Sequence, residues 1–276
     1  MRGRVLVVAG SDSGGGAGIQ ADIRTITALG GYAMTAVTAL TAQDTRGVHG
    51  VLPVPPGFVA QQMRVVLDDL GADAVKTGML GDAARIEAVA EVLAARPARL
   101  PLVLDPVMVA KGGTALLAEA ALAALTRDLL PLATLLTPNA PEAAALAGLP
   151  VQSTADMQRA ADRLRRLGVP AVLLKGGHLP GAEVADLLAT GQGETWLRAP
   201  RIATRHTHGT GCTLASAIAA GLAQAMALEA AVRRAHAYVQ AAITAAPGFG
   251  AGHGPLGLGV TACGSTTATA AAAPRA

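Results

Sequence analysis

The feature that most constrains this chain is the regular alternation of short apolar runs with longer alanine- and leucine-rich stretches. Residues 5–9, 35–40, 72–77, 102–104, 134–136 and 171–174 read as strands, apolar enough to be buried on both faces. Residues 17–29, 58–70, 82–95, 116–130 and 154–167 read as the helices between them. Strand and helix repeated in this way predict an α/β fold, a central mostly parallel sheet flanked by helices on both faces. After Lys175 the rhythm changes. Residues 185–190 and 194–199 flank Gly191-Gln-Gly193 as a hairpin, and two helices follow over 210–226 and 228–245.

Composition narrows the class. The chain has 276 residues, 51% of them hydrophobic and 15% charged, which supplies a full core and argues against intrinsic disorder in the body of the protein. From residue 260 onward an alanine- and threonine-rich tail has nothing large to bury, so one domain over 1–259 and a disordered tail over 260–276 are expected. The net charge of +3 is mild and only 2% of residues are aromatic, so nothing supports nucleic-acid binding. Apolar stretches are interrupted well short of a membrane span, as at Gln224. The run at 5–9 is too short for a signal peptide, and Cys212 and Cys263 lie in segments too unlike to suggest a structural disulfide. The expectation is a cytoplasmic enzyme. Among 22 Lys and Arg residues only Lys76, Lys111 and Lys175 are lysines, and Lys76 and Lys175 each end an apolar run before glycine, where a parallel strand opens onto a ligand crevice.

The richest chemistry lies in His206-Thr-His-Gly-Thr-Gly-Cys212, a glycine turn set against the first turn of an apolar helix. Gly209 and Gly211 let the backbone bend, and the unpaired N–H groups of a helix start make a socket for an anion that Cys212 can also reach. A thiol placed there is expected to have its thiolate favoured. Taken alone the segment reads more readily as a glycine turn before a core helix, with Cys212 as a small buried hydrophobe. The loop after the first strand, Gly10-Ser-Asp-Ser-Gly-Gly-Gly-Ala-Gly-Ile-Gln-Ala-Asp22, contains a formal Gly-x-Gly-x-x-Ala match at Gly16. It begins too far from the strand for a dinucleotide turn, and a flexible substrate lid fits better. No Walker A sequence occurs. Asp105 should project from a strand end, and Asn139 and Glu142 open a helix beside it, as a cap with its N3 carboxylate or as groups able to hold Mg²⁺ through water.

The motifs Gly10-Ser-Asp through Asp22, Thr41-Ala-Gln-Asp-Thr45, Lys76-Thr-Gly-Met-Leu80, Leu104-Asp-Pro-Val-Met-Val-Ala-Lys111, Thr137-Pro-Asn139 with Glu142, Lys175-Gly-Gly-His178 and His208-Gly-Thr-Gly-Cys212 occur in one order. In that order the chain resembles the hydroxymethylpyrimidine/phosphomethylpyrimidine kinases of the ribokinase-like superfamily. The resemblance implies a three-layer ribokinase-like sandwich and a homodimer. It also implies ATP-dependent phosphorylation of 4-amino-5-hydroxymethyl-2-methylpyrimidine and then of its monophosphate, in thiamine biosynthesis. It places Gln43 on the pyrimidine, where a side-chain amide meets an aminopyrimidine edge with two hydrogen bonds. It places Ala17, Asp22, Met79 and Val107 around the substrate, and Lys175, Asn139 and Thr210 toward ATP. Asp105 and Glu142 would organise Mg²⁺. Cys212, with Gly209 and Gly211, stands where the wider superfamily generally has an aspartate acting as base. One departure is visible: where the family usually has Asp-Pro-Ser-Gly-Gly this chain has Asp12-Ser-Gly-Gly-Gly16, which predicts a more mobile substrate loop. Vitamin B6 kinases of the same fold are the nearest alternative, and Gln43 is the discriminating residue. A cysteine hydrolase using Cys212 with His178, His206 or His208, and a non-catalytic pyrimidine-binding protein, are the others.

Overall fold

The computed structural model describes residues 2–108 and 119–260. Lys111, Cys263 and the tail from residue 261, expected to be disordered, lie outside the described residues. The elements in chain order are β1 (Arg4–Asp12), α1 (Gly18–Ala28), β2 (Tyr32–Gln43), β3 (Val48–Pro53), α2 (Pro56–Asp69), β4 (Ala74–Thr77) and α3 (Ala83–Ala94). Then come β5 (Leu102–Leu104), α4 (Glu119–Ala124), β6 (Leu135–Leu136), α5 (Ala140–Ala147), α6 (Thr154–Arg166) and β7 (Val172–Leu174). The chain closes with β8 (Glu183–Thr190), β9 (Gly193–Pro200), α7 (Thr210–Ala223) and α8 (Leu228–Thr244).

The strands form one sheet in the order β3-β2-β1-β4-β5-β6-β7-β8-β9. The six from β2 through β7 run parallel, while β3 pairs antiparallel with β2 and the β8–β9 hairpin pairs antiparallel with β7. Alternation along β1 shows how both faces are filled: Leu6 and Val8 join one core and Val5, Val7 and Ala9 the other. The first core is covered by α2 through α6, and the second by α1, α7 and α8. Each fully buried leucine or valine in these layers contributes about 1.5–3 kcal/mol relative to exposure.

The predicted strands and helices correspond to observed elements, with two differences. β2 extends to Gln43, and β3 was not foreseen because its half-exposed pattern, with Gly50 and Pro53, carries no apolar alternation. The helix expected over 116–130 is seen from Glu119 and passes through a π-helical turn, Leu125–Leu129, before Pro131. No helix among the described residues is long and apolar enough to cross a membrane.

Candidate active site

Chain order reverses at β1, whose neighbours are β2 on one side and β4 on the other. In an open parallel sheet the crevice at such a reversal, beyond the C-terminal strand ends, is where ligands bind. Here the ends of β1, β4, β5, β6 and β7 open into a cavity of about 950 Å³, and the N-terminus of α7 enters it. Ala17, Gln43, Met79, Val107, Asp105, Asn139, Glu142, Lys175, Gly209, Thr210, Gly211 and Cys212 all line this cavity, so the structure brings together every site residue that the resemblance assigns but one.

The exception is Asp22. It is fully buried beneath the cavity and does not line it, so the expected direct contact with substrate is not what the structure shows. Lys76 Nζ donates to both Asp22 carboxylate oxygens at 2.9 and 2.8 Å, and Ser216 Oγ, from α7, donates to Asp22 Oδ1 at 2.6 Å. Lys76 is likewise fully buried, and its expected opening onto the crevice is replaced by this ion pair. Burial opposes its charge, but Asp22, Cys212 and Asp105 hold the Lys76 pKa above the ordinary lysine value.

The helix start is built by close backbone approach. Gly209 caps α7 at φ +84°, and a Cβ there would lie 1.8 Å from the Gly16 carbonyl oxygen, so only glycine lets α7 meet the substrate loop. The first intrahelical bond of this turn is Thr213 N–H to Gly209 O at 2.9 Å, which leaves the N–H groups of Gly211 and Cys212 without helical partners. A Cβ on Gly211 would stand 3.2 Å from Lys175 Nζ and 3.7 Å from Asp105 Oδ2, so its absence leaves room for an anion between helix and lysine. Thr210 Oγ1 donates to Thr207 O at 2.8 Å and tightens the turn.

Cys212 corrects the expectation of a favoured thiolate. Burial pushes the thiol up to about 11, and Lys76 and the N–H of Gly18, which favour the thiolate, do not overcome burial together with Asp22 and Asp105.

Toward the other end of the cavity, Lys175 Nζ donates to Asp105 Oδ1 at 2.9 Å and lies 4.0 Å from Glu142 Oε2. Lys175 N–H donates to Pro138 O at 2.8 Å, which continues the β6–β7 pairing past the strands and sets Lys175 beside Asn139. Asn139 and Glu142 form the capping box anticipated from sequence: Asn139 Oδ1 accepts Glu142 N–H at 2.9 Å, and Glu142 Oε2 accepts Asn139 N–H at 2.8 Å. Burial pushes the Glu142 carboxyl up to about 7, with Lys175 opposing the shift and Asp105 adding to it. Two carboxylates on one wall suit a Mg²⁺ ion that keeps most of its water, since that ion takes few direct protein ligands. Beyond Lys175, Val184, Ile202, Val239 and Ile243 line an apolar slot with Asp186 and His236 at its edge.

At the opposite end, Asp12 organises the substrate loop. Its carboxylate accepts N–H bonds from Gly14, Gly16 and Ala17 at 2.8, 3.1 and 2.8 Å, and His208 Nε2 lies 2.8 Å from Asp12 Oδ2. Burial works against this charge, but the His208 and backbone hydrogen bonds hold the Asp12 carboxyl below its usual range. The loop's serine, where a proline is usual, is bonded in both directions to β2: Ser13 Oγ donates to Gln43 O at 2.9 Å and accepts Gln43 N–H at 2.8 Å. A proline could make neither bond. His208, which is buried, carried no role in the sequence reading beyond the hydrolase alternative, although it immediately precedes the Gly-Thr-Gly-Cys motif.

Residues 12–257 match the phosphomethylpyrimidine kinase family model. A hydroxymethylpyrimidine/phosphomethylpyrimidine kinase of Streptomyces coelicolor is 53% identical over 255 residues, covering 92% of this chain and 94% of that protein. The chain belongs to the phosphomethylpyrimidine kinase family. It is a phosphotransferase with a ribokinase-like fold. A phosphomethylpyrimidine kinase structure from Clostridium difficile superposes with a TM-score of 0.76 at 38% identity, covering 86% of this chain and 97% of that one. The pyridoxal kinase of Staphylococcus aureus in complex with AMP-PCP and pyridoxal superposes with a TM-score of 0.87 at 37% identity, covering 94% of each chain.

Proposed function

We propose that this phosphotransferase uses ATP to phosphorylate 4-amino-5-hydroxymethyl-2-methylpyrimidine and then its monophosphate, as a step of thiamine biosynthesis in the cytoplasm. The observation that carries the reading is Gln43, whose amide faces the same cavity as Met79 and Val107 and stands at the end nearest the α7 turn. Met79 and Val107 give apolar contact to a ring, and the amide pairs with its amino edge. The nucleotide takes the other end, with its base in the apolar slot and its phosphates running past Lys175 toward Gly211 and Cys212. Asp105 and Glu142 would hold Mg²⁺, which neutralises charge on the transferring phosphoryl group when bound.

In the first transfer the substrate hydroxyl oxygen attacks the γ-phosphorus, the bond from that phosphorus to the bridging oxygen breaks, and ADP departs with the electron pair. The hydroxyl proton passes to Cys212 in its minor thiolate form, while the first-turn N–H groups and Lys175 meet charge on the phosphoryl oxygens. Asp22, Lys76 and Ser216 support Cys212 from below and do not touch the substrate. In the second transfer the attacking group is a phosphate oxygen that is already ionised near neutral pH.

A homodimer is part of this reading. Leu40, Val51 and Leu52 on the β2–β3 ribbon and Phe58 and Val65 on α2 are exposed, Leu52 by 65%, and a second copy would cover them. The likeness to pyridoxal kinase favours a second reading, phosphorylation of a B6 vitamer in the same cavity. A product assay separates the two. With ATP, Mg²⁺ and either the aminopyrimidine alcohol or pyridoxal, mass spectrometry should find the pyrimidine monophosphate and then the diphosphate. Phosphorylation of pyridoxal alone, or product without ATP, would overturn the proposal.

A further inference from the structure

The hydrogen-bond count around Gln43 fixes more than its position. Gln43 Nε2 lies 3.2 Å from His208 Nε2 and Gln43 Oε1 lies 3.3 Å from Thr41 Oγ1, and half a turn of the amide exchanges its nitrogen and oxygen. His208 Nε2 also lies 2.8 Å from Asp12 Oδ2, on a carboxylate that already accepts three backbone N–H bonds. A carboxylate so placed needs a donor, so His208 Nε2 carries its hydrogen and has no lone pair to offer Gln43. Thr41 Oγ1 donates its single hydrogen to Ser11 O at 2.9 Å, so toward Gln43 it serves as an acceptor. Like groups face each other unless the amide takes the half-turn that sets its oxygen toward the His208 Nε2–H, which it shares with Asp12, and its nitrogen toward Thr41.

We infer that His208 and Thr41 are positioning residues that hold the Gln43 amide in one orientation, and so determine that the cavity selects a ring edge with an amino donor beside a ring-nitrogen acceptor. The amide has two lone pairs and two N–H groups. The His208 N–H, shared with Asp12, faces one lone pair and Thr41 accepts one N–H, which leaves one acceptor and one donor, in fixed order, for the ligand. A freely turning amide would meet the 4-amino ring and its 4-oxo analogue about equally well, because rotation by half a turn exchanges donor and acceptor. Held in place, it refuses the oxo analogue, whose carbonyl oxygen and ring N–H present the reverse pattern. The inference rests on the aminopyrimidine reading of the site.

The test compares kcat/KM for the 4-amino substrate and its 4-oxo analogue in wild type, His208→Leu, Thr41→Val, Gln43→Ala and the His208→Leu/Gln43→Ala double variant. His208→Leu and Thr41→Val should each reduce the amino-over-oxo preference roughly tenfold. His208→Leu should reduce it no further once Gln43 is alanine, because the two residues act through one amide. Thr41→Val leaves Asp12 and His208 in place, so it decides the matter should His208→Leu fail to fold. Nitrogen NMR of labelled histidine supplies a readout apart from activity, with Nε2 of His208 expected as a hydrogen-bearing ring nitrogen. An unprotonated Nε2, equal losses on both substrates in both single variants, or fully multiplying effects in the double variant would overturn the inference. A wild-type enzyme that phosphorylates neither pyrimidine would instead overturn the reading of the substrate.

Discussion

If Cys212 takes the hydroxyl proton, the two phosphoryl transfers should respond differently to pH. The thiol stands at about 11, so its thiolate fraction rises tenfold per pH unit below that value and about 100-fold between pH 8 and pH 10. Glu142, at about 7, has finished titrating before this window opens. The alcohol needs a base, and its single-turnover rate should climb across the window with a slope close to one. The monophosphate, whose second ionisation lies near 6, presents an ionised oxygen and should give a nearly flat profile over the same range. Cys212→Ser should lower the first transfer by roughly 10² to 10⁴ and leave the second within a few-fold. The assay is rapid quench at saturating ATP and Mg²⁺, with each acceptor supplied separately and products resolved by mass spectrometry. Single turnovers keep product release from flattening the profile. A flat alcohol profile, or equal losses in both transfers on Cys212→Ser, would refute the base role and leave the α7 turn and Lys175 to act by positioning and charge alone.

Three further outcomes follow from the same geometry. Gln43→Ala should weaken the pyrimidine alcohol by roughly 1–3 kcal/mol while ATP affinity stays near wild type, as measured by calorimetry with each ligand; equal loss of both would make Gln43 structural. Lys76→Met strands the fully buried Asp22 carboxylate with Ser216 as its remaining donor, so denaturant unfolding should show a loss of about 3–5 kcal/mol. Adding Asp22→Asn should recover much of that loss. Glu142 is raised from 4.5 to about 7 in the fold, so its contribution to stability is present below 4.5 and lost as pH rises through 7. The stability of wild type minus Glu142→Gln, read from melting in the absence of Mg²⁺ and nucleotide, should fall across that window; a constant difference would refute the shift.

How much of this could be read from sequence depended on whether the responsible force acts locally. The parallel strands were legible because burial on both faces demands an unbroken apolar run, as in residues 5–9. The start of α5 was legible because Asn139 and Glu142 satisfy each other within one turn. β3 was not, because an exposed edge strand needs no apolar pattern and forms where β2 offers it a partner. The cavity was legible as motifs at strand ends, but depth was not. Asp22 and Lys76 are 54 positions apart, and only the packing of α1 under α7 shows that they spend their charges on each other. The Cys212 thiol was misjudged for the same reason. Its helix position is written in the glycines beside it, whereas the burial and the carboxylates that raise it are contributed by distant segments.

That buried layer also gives a physical reason for a thiol in place of a carboxylate. Beneath Cys212 a single lysine faces Asp22, and the pair is neutral as a whole. A thiol at about 11 adds no third charge near neutral pH, whereas an aspartate at 212 would set a second carboxylate over one cation with Asp105 also close enough to oppose it. Cys212→Asp should therefore be a poor replacement in the wild-type background, with its new carboxyl raised and folding stability reduced. Removing the competing charge should improve it: Cys212→Asp with Asp22→Asn leaves Lys76 to pair with the new carboxylate, which should then be ionised at neutral pH and turn over the alcohol with a shallower pH dependence than the thiol. Activity of the double variant above that of Cys212→Asp alone, against a loss when Asp22→Asn is placed in wild type, is the expected pattern. If Asp22→Asn lowers activity by the same factor in both backgrounds, charge competition beneath residue 212 is not what favours the thiol.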